Sequence, residues 1–233
     1  MEKIAVLTGA GMSAESGIST FRDSGGLWEQ HRVEDVASID GYVRNPALVL
    51  DFYNQRRREL LHTEPCLGHH LLAQMQEHYD ITVVTQNVDD LHERAGQHHV
   101  VHLHGELLKA TSSLDPNDPR QLRTLTPPDT DIHLGDRAPD GSQLRPYIVW
   151  FGEAVPKIEQ AISVVEQADI FVVIGTSLNV YPAAGLSRYV AAHAPVYVID
   201  PKPVAWNSTH PFRHIQRGAS DGVAELMRLL GKA

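Results

Sequence analysis

Short apolar runs alternate with segments of helical periodicity over most of the chain. Runs that predict strands lie at 4–7, 81–85, 100–103, 170–174 and 196–199. Segments that predict helices lie between and after them, at 67–78, 156–167, 183–193 and 220–230. Continuous apolar strands separated by helices are typical of a parallel sheet that is buried on both faces. The pattern therefore predicts an α/β fold with helices on both faces of a parallel sheet.

Two segments interrupt this alternation. Residues 24–66 contain no predicted strand, and residues 106–145 are rich in Pro, Asp, Ser and Thr. Irregular loops of about 40 residues are uncommon inside a compact domain, so we expect short strands within the second segment. We predict that the two segments form a small inserted module. The remaining parts of the main domain are then 1–23, 67–105 and 146–233.

The composition is that of an ordinary globular protein and argues against several classes of partner. Of 233 residues, 42% are hydrophobic, and the formal net charge is -9. An acidic surface argues against nucleic acid and against a polybasic membrane contact. The apolar runs are too short to span a bilayer, and the first is too short for a signal-peptide core. We expect a cytoplasmic protein, and nothing in the sequence indicates its oligomeric state.

A glycine-rich turn follows the first predicted strand. Gly9, Ala10 and Gly11 begin a string of small residues that lets the backbone approach a dinucleotide pyrophosphate. The alternative is a tight strand-to-helix turn that binds no ligand. Residues 16–28 then form a glycine-punctuated loop that could close over a dinucleotide, which is unlike a hydride-transfer enzyme.

Polar clusters follow the strands predicted at 81–85 and 170–174. In open parallel sheets, ligands bind beyond the carboxyl ends of the strands, so these residues are candidates for binding hydroxyls and an amide. The alternative is that they cap a helix or a turn. The cluster residues are Gln86, Asn87, Asp89, Gly175, Thr176 and Ser177.

Two histidines follow the strand predicted at 100–103. Strand alternation places His102 and His104 on the same face, with His104 at the carboxyl end. A histidine in that position is a good general-base candidate because its ordinary pKa lies near neutrality. The alternative is an ordinary surface histidine, since the chain has 14.

A helix is predicted to begin at Asn45-Pro46, an N-cap followed by proline. Helical spacing puts Tyr53 and Arg56 on its apolar face and points Arg58 the opposite way. A guanidinium on such a face needs an anionic partner or several acceptors. Arg56 and the Tyr53 hydroxyl therefore indicate an anion-binding pocket, with an internal salt bridge or a snorkelling arginine as the alternative.

Several strings together resemble the sirtuin family of NAD-dependent protein deacylases. They are G-A-G at 9–11, S-G-I at 16–18, F-R at 21–22, T-Q-N-V-D-D-L-H at 85–92, H-G at 104–105, L-R-P at 144–146, V-W-F-G-E at 149–153, G-T-S at 175–177 and G-A-S at 218–220. They occur in order over nearly the whole chain. The resemblance implies a Rossmann-type NAD-binding domain with a small module, and a substrate bound in the cleft between them.

The resemblance also implies the chemistry. In the family, the acyl-lysine carbonyl oxygen attacks C1′ of the nicotinamide ribose, and nicotinamide leaves. The products are free lysine, nicotinamide and O-acyl-ADP-ribose. NAD is thus expected as a co-substrate and acyl-lysine proteins or peptides as partners, with His104 as the catalytic base and Asn87 as a second catalytic residue beside the nicotinamide.

The resemblance, with the loop argument above, implies two sets of binding residues. The cofactor-binding residues are Gly9, Ala10, Gly11, Phe21, Arg22, Trp28, Gln86, Asn87, Asp89, Gly175, Thr176, Ser177, Asp200 and Ala219. The substrate residues are Tyr53, Arg56, Val149, Phe151, Gly152, Glu153 and Val180. Residues 151–153 and 178–180 are expected to hold the substrate peptide as an added strand. Tyr53 and Arg56 resemble the Tyr-x-x-Arg pair of sirtuins that act on acidic acyl groups.

The chain departs from the family pattern at two points. Most sirtuins hold the small module with four zinc-binding cysteines, whereas the only cysteine here is Cys66, so we predict no zinc. The family often has Asn where Asp200 follows the strand at 196–199. A carboxylate also accepts hydrogen bonds from ribose hydroxyls, so NAD remains the expected cofactor.

The sequence thus favours an NAD-dependent lysine deacylase that acts on malonyl and succinyl groups as well as, or above, acetyl. A mono-ADP-ribosyltransferase or NAD glycohydrolase on the same scaffold is an alternative, but it has no need of Tyr53 and Arg56. A non-catalytic NAD sensor is another alternative, but it has no use for a base at His104.

Overall fold

A computed structural model of the chain describes residues 1–18, 31–206 and 208–231. Its strands are β1 Lys3–Thr8, β2 Asp80–Thr85, β3 Val100–His102, β4 Gly105–Ser112, β5 Arg123–Thr124, β6 Leu144–Ile148, β7 Ile170–Ile174, β8 Val196–Ile199 and β9 Arg213–Ile215. Six of them form a parallel sheet in the order β3-β2-β1-β7-β8-β9. The α/β fold and all five predicted strands are confirmed.

The central strands are buried because alternate residues enter separate cores on the two faces of the sheet. In β1, Ile4 and Val6 pack into one core, whereas Ala5 and Leu7 pack into the other. Since successive strand side chains point to opposite faces, a strand with helices on both sides must be apolar at every position. This is why the strands are readable in the sequence as continuous apolar runs.

Helices cover both faces of this sheet. The α-helices are α1 Ala10–Ser13, α2 Val33–Val36, α3 Ile39–Arg44, α4 Pro46–Leu60, α5 Leu67–Gln74, α6 Leu91–Arg94, α7 Ile158–Glu166 and α8 Ala219–Leu229. Helices α5 and α8 pack into the core of Ile4 and Val6 through Leu72 and Val223. Helix α7 packs into the opposite core, that of Ala5 and Leu7, through Val165. Among the described residues, no helix is long and apolar enough to cross a membrane.

A second, antiparallel sheet lies outside the Rossmann-type layers, in the order β5-β4-β6. It shares a third core with α4, in which Phe52 and Tyr53 pack with Leu107 and Trp150. Short strands therefore exist where the 106–145 segment was expected to contain them, although β4 and β6 extend beyond it. The boundaries of the inserted module stay a prediction.

The structure differs from the sequence prediction at several short elements, among them one predicted helix and strand β9. The helix predicted at 183–193 is a 3₁₀ helix over Ala183–Tyr189. Gly185 donates to the carbonyl of Pro182, three residues back, and the backbone is extended at Val190. Strand β9 was not predicted, because only Ile215 of its three residues is buried and it carries no apolar run.

Candidate active site

The carboxyl ends of three neighbouring strands bring the glycine turn and both polar clusters together. Thr8 pairs with Thr85 on one side and with Ile174 on the other. The residues that follow, Gly9, Gln86 and Gly175, therefore lie side by side at one edge of the sheet. The structure thus brings together the residues that were predicted from the strand ends, and their role as a site stays a prediction.

The glycine turn packs directly against the G-T-S turn. Gly9 donates to the Ile174 carbonyl at 3.0 Å, and Gly11 donates to the Gly175 carbonyl at 2.9 Å. A Cβ on Gly11 would lie 2.7 Å from the Gly175 Cα. These contacts require small residues whether or not a phosphate is bound, so the tight-turn and dinucleotide interpretations are compatible.

A buried hydrogen-bonded chain links Asn87 and Asp89 to the glycine turn. The Asn87 side-chain amide donates to the Gly9 carbonyl at 3.1 Å and to Ser13 Oγ at 3.0 Å. Ser13 in turn donates to Asp89 at 3.0 Å. Burial raises the pKa of Asp89, although its bonds from Ser13 and Leu91 oppose the rise. Ser13 was missed as a site residue, although it stands within the glycine-rich string.

His104 is placed to act as a base through Nε2. Its Nδ1 lies 3.0 Å from the Gln86 carbonyl oxygen, which can only accept. Nδ1 therefore carries the proton of the neutral ring, and the lone pair is on Nε2. Burial lowers the pKa of His104, partly offset by the Gln86 bond, so the neutral ring predominates at pH 7. Gln86 also donates from its side chain to Thr176 at 3.0 Å.

Tyr53 and Arg56 occupy successive turns of α4. The buried Tyr53 hydroxyl accepts a hydrogen bond from Trp150 Nε1 at 3.0 Å, and burial raises the Tyr53 pKa to about 12. Arg56 is half-buried, and burial lowers its pKa, opposed by the charges of Tyr53, Glu59 and Asp89. The guanidinium carbon lies 5.7 Å from the centroid of the Phe52 ring, one turn back on the same helix.

Arg57 was not predicted as a functional or structural residue, but it is more deeply buried than Arg56. Its guanidinium donates to the carbonyls of Thr130 and Leu107 and to the Asn54 side chain. These acceptors lie in the 106–145 segment and one turn back on α4, so Arg57 joins the helix to that segment. Helical spacing selected Arg56 because it counts only the apolar neighbours on the same helix, whereas the burial of Arg57 depends on distant carbonyls.

The predicted substrate segment 149–153 follows β6 and lies beside His104. Val149 donates from its backbone to the His104 carbonyl at 2.9 Å. Phe151 pairs through its backbone with Ala37 and Ile39, and its side chain is exposed, as is that of Val180. These exposed apolar side chains are available to a peptide.

The Glu153 carboxylate is used inside the protein. It forms a two-point ion pair with Arg145 at 2.7 and 3.0 Å and accepts from the Trp150 backbone at 2.8 Å. The neighbouring Gly152 has a positive φ of 93°, and a Cβ there would lie 2.9 Å from Ile39 Cγ2. The Glu153 backbone N–H is also used inside the protein, since it donates to the Trp150 carbonyl at 3.0 Å.

The remaining predicted cofactor residues are spread along the sheet edge. Asp200 follows β8, and its carboxylate accepts from the Lys202 backbone at 2.8 Å. Ser177 accepts from the Asn179 side chain at 3.3 Å. Ala219 is buried against Gly68 at the start of α8, and its contact with an adenine stays a prediction. Phe21, Arg22 and Trp28 lie outside the described residues.

The described part of the chain contains no group of three or more His, Cys, Asp or Glu side chains placed to hold a metal ion. Asp131, one of the acidic residues in 106–145, instead pairs with Arg58. The absence of zinc stays a prediction.

Comparison with known proteins places these features in a family. The Sir2 family model matches residues 9–182. An NAD-dependent protein deacylase of Bacteroides thetaiotaomicron is 60% identical over 230 residues, covering 99% of this chain and 98% of the relative. One of Helicobacter pylori is 50% identical over 227 residues, covering 97% and 96%. The crystal structure of a Sir2 homologue–NAD complex is 34% identical, with a TM-score of 0.85 and coverage of 99% and 90%.

Proposed function

We propose that this chain, which belongs to the Sir2 family and is an NAD-dependent protein deacylase, removes malonyl and succinyl groups from protein lysines as well as, or above, acetyl groups. The products are nicotinamide, O-acyl-ADP-ribose and free lysine. The observation that carries the acidic-acyl specificity is the pairing of a buried Tyr53 hydroxyl with the Arg56 guanidinium on one face of α4.

The carboxylate of such an acyl chain finds two donors in this pocket. Trp150 already donates to the Tyr53 hydroxyl oxygen, so the phenolic O–H of Tyr53 can itself donate to the carboxylate. Arg56 supplies a positive charge that is partly withdrawn from water, where a charge-assisted bond to a carboxylate is strong. An acetyl group has no carboxylate and uses neither donor.

The residues at the strand ends fit NAD as co-substrate. Gly9 and Gly11 let the glycine turn pack against the G-T-S turn, where a Cβ would overlap Thr176 and Gly175. Gln86, Asn87 and Asp89 supply amide and carboxylate groups for ribose and carboxamide. When bound, NAD supplies an electrophilic ribose carbon and nicotinamide as the leaving group. We assign Asn87 to hold the nicotinamide end, because its side chain is fixed by Gly9 and Ser13.

His104 serves as the base in this proposal. Its neutral ring presents the Nε2 lone pair, because Nδ1–H is directed to the Gln86 carbonyl. It takes the proton from a ribose hydroxyl as that oxygen attacks the acyl carbon. The exposed Phe151 and Val180 side chains would hold the peptide on either side of the acyl-lysine.

The test compares peptides that differ only in carrying acetyl-, malonyl- or succinyl-lysine. Arg56→Met should lower kcat/KM for the two acidic substrates by about 30-fold or more, since unpairing a buried charge costs about 2–5 kcal/mol. The kcat/KM for the acetyl peptide should be nearly unchanged. Arg58→Met is the matched control, because Arg58 is exposed on the same helix and pairs with Asp131. Equal losses on all three peptides, or an acetyl preference in the wild type, would refute the specificity.

The reaction type is checked on the same samples. Deacylation yields O-acyl-ADP-ribose in equal amount to nicotinamide. Free ADP-ribose as the main product would indicate NAD glycohydrolysis, and ADP-ribose attached to protein would indicate transfer.

A further inference from the structure

His102 lies at the end of β3 and is buried, with 4% of its surface exposed. Its Nδ1 is 3.2 Å from the Asn87 carbonyl oxygen, and its Nε2 is 2.7 Å from Glu93 Oε1. A carbonyl and a carboxylate are both acceptors only. Both ring nitrogens must therefore carry protons to satisfy the two contacts, and a neutral imidazole can satisfy only one of them.

The surroundings of His102 favour a cation. Carboxylates that act on it come from several elements: Glu93 on α6, Glu106 on β4, and Asp89 and Asp90 on the loop before α6. The neighbouring His92 is buried, and its pKa is held well below the ordinary value, so it adds no positive charge. Lys109 pairs with Glu106 at 2.7 Å and is the nearby basic residue.

The balance of these effects has a definite direction. Burial by itself lowers the pKa of His102, but the bond and charge of Glu93, with Glu106 and the Asn87 carbonyl, raise it above the ordinary value. The pKa of His104, two residues later, shifts the opposite way. Burial lowers it, and the bond to the Gln86 carbonyl offsets this only in part. The pKa values of the two histidines are therefore shifted in opposite directions.

We infer that His102 is an imidazolium that positions Asn87 by donating to its backbone carbonyl, with Glu93 holding the charge in place. The Asn87 side chain is fixed by Gly9 and Ser13, so the residue is held from both its side chain and its main chain. In this arrangement His102 contacts neither NAD nor the acyl peptide, so it is a positioning residue. The inference rests on the proposed role of Asn87 at the nicotinamide end of NAD.

Loss of the His102 proton has a predictable consequence. The neutral ring keeps its Nε2–H bond to Glu93, since that acceptor is charged. The Nδ1 lone pair then faces the Asn87 carbonyl oxygen, and two acceptors repel each other. NAD binding should therefore weaken as the pH rises through the pKa of His102.

The first experiment reads the protonation states directly. Long-range ¹H–¹⁵N NMR of the histidine rings, with His102→Gln and His104→Gln used to assign signals, should show His102 doubly protonated at about pH 7.5 and His104 neutral with its proton on Nδ1. A neutral His102 at that pH would overturn the inference. This readout does not depend on which acyl group the enzyme prefers.

The second experiment measures NAD affinity by calorimetry for the wild type and Glu93→Gln. The amide still accepts from Nε2 but no longer supports a charged ring, so the Kd of the variant should be about five- to tenfold higher at pH 8 and return toward the wild-type value at about pH 6. His98→Gln, an exposed histidine four residues from His102, is the control and should change neither value.

The outcomes separate this inference from the proposed function. If Glu93→Gln binds NAD like the wild type at both pH values and melts at the same temperature, His102 has no positioning role. If the wild type instead prefers acetyl-lysine while the NMR and NAD results hold, the specificity is wrong and the role of His102 stands.

Discussion

The Tyr53 hydroxyl is oriented by Trp150, which lies 97 residues away in the sequence. The indole can only donate, so the Tyr53 proton remains available for a substrate carboxylate. The same Trp150 ring stacks on Arg145, with 3.6 Å between the guanidinium carbon and the ring centroid. One aromatic residue thus connects the predicted substrate segment to the Tyr53 hydroxyl of the proposed acyl pocket.

We predict that Trp150→Phe keeps most of this stacking but removes the donor to Tyr53. The kcat/KM for succinyl-lysine should fall about five- to tenfold, because the lost hydrogen bond contributes about 1 kcal/mol. The change in kcat/KM for acetyl-lysine should be smaller. Trp206→Phe is the control, since Trp206 donates to the His210 carbonyl away from the site. A parallel loss on both substrates would mean that Trp150 only supports the fold.

The pH dependence of catalysis should report His104. Its folded-state pKa is lowered by burial, so the neutral, active form persists below the ordinary value of about 6.5 and is lost only as the pH falls through the lowered pKa. We expect kcat/KM for the acyl peptide to be steady near neutrality and to fall on the acid side. A rate that stays flat down to about pH 5 would contradict a base at this position.

At the scale of elements, the junction between the two sheets depends on one glycine. Gly105 begins β4 with a φ of 85°, and a Cβ there would overlap the carbonyl oxygen of Tyr147. The positive φ and the close approach both require glycine. The His104 ring is held immediately before this turn, so the glycine of the H-G string positions the base.

We predict that Gly105→Ala destabilises the protein by more than about 3 kcal/mol, because strain and overlap add. Gly141→Ala is the matched control, since Gly141 has a φ of 84° but nothing within 4 Å of the added Cβ. It should cost only the backbone strain, about 1–2 kcal/mol. Urea unfolding of both variants measures the difference, and equal losses would show that the contact with Tyr147 is unimportant.

At the scale of the whole molecule, a third hydrophobic core accompanies the antiparallel sheet. Its apolar side chains come from α2 to α4 and from β4 and β6. Two buried arginines reinforce it: Arg57 binds carbonyls of the 106–145 segment, and Arg145 pairs with Glu153. This packing offers a physical source of rigidity for a module that we predict to lack zinc.

We therefore expect that prolonged treatment with a strong chelator changes neither the melting temperature nor kcat/KM, and that metal analysis of the purified protein finds zinc well below one ion per chain. A structural zinc site contributes directly to folding, so its removal would lower the melting temperature. Loss of activity that added zinc restores would refute the prediction.

The sequence by itself determined the sheet and the edge at which the site lies. Burial on both faces forces continuous apolar strands, and parallel strands bring their carboxyl ends together, so the polar residues after them had to meet. The strings that resemble sirtuins also led to the family that the comparisons established. The 3₁₀ helix at Ala183–Tyr189 and strand β9 escaped prediction, because short elements carry too few residues for a clear period.

Only the tertiary structure decided how individual polar groups are used. The different burial of Arg56 and Arg57, the orientation of Tyr53 by Trp150, and the opposite pKa shifts of His102 and His104 all depend on acceptors and donors from distant parts of the chain. Hydrogen bonds and pKa values follow from three-dimensional neighbours at about 3 Å. Periodicity and motif spacing describe only local backbone form and therefore carry no information about these partners.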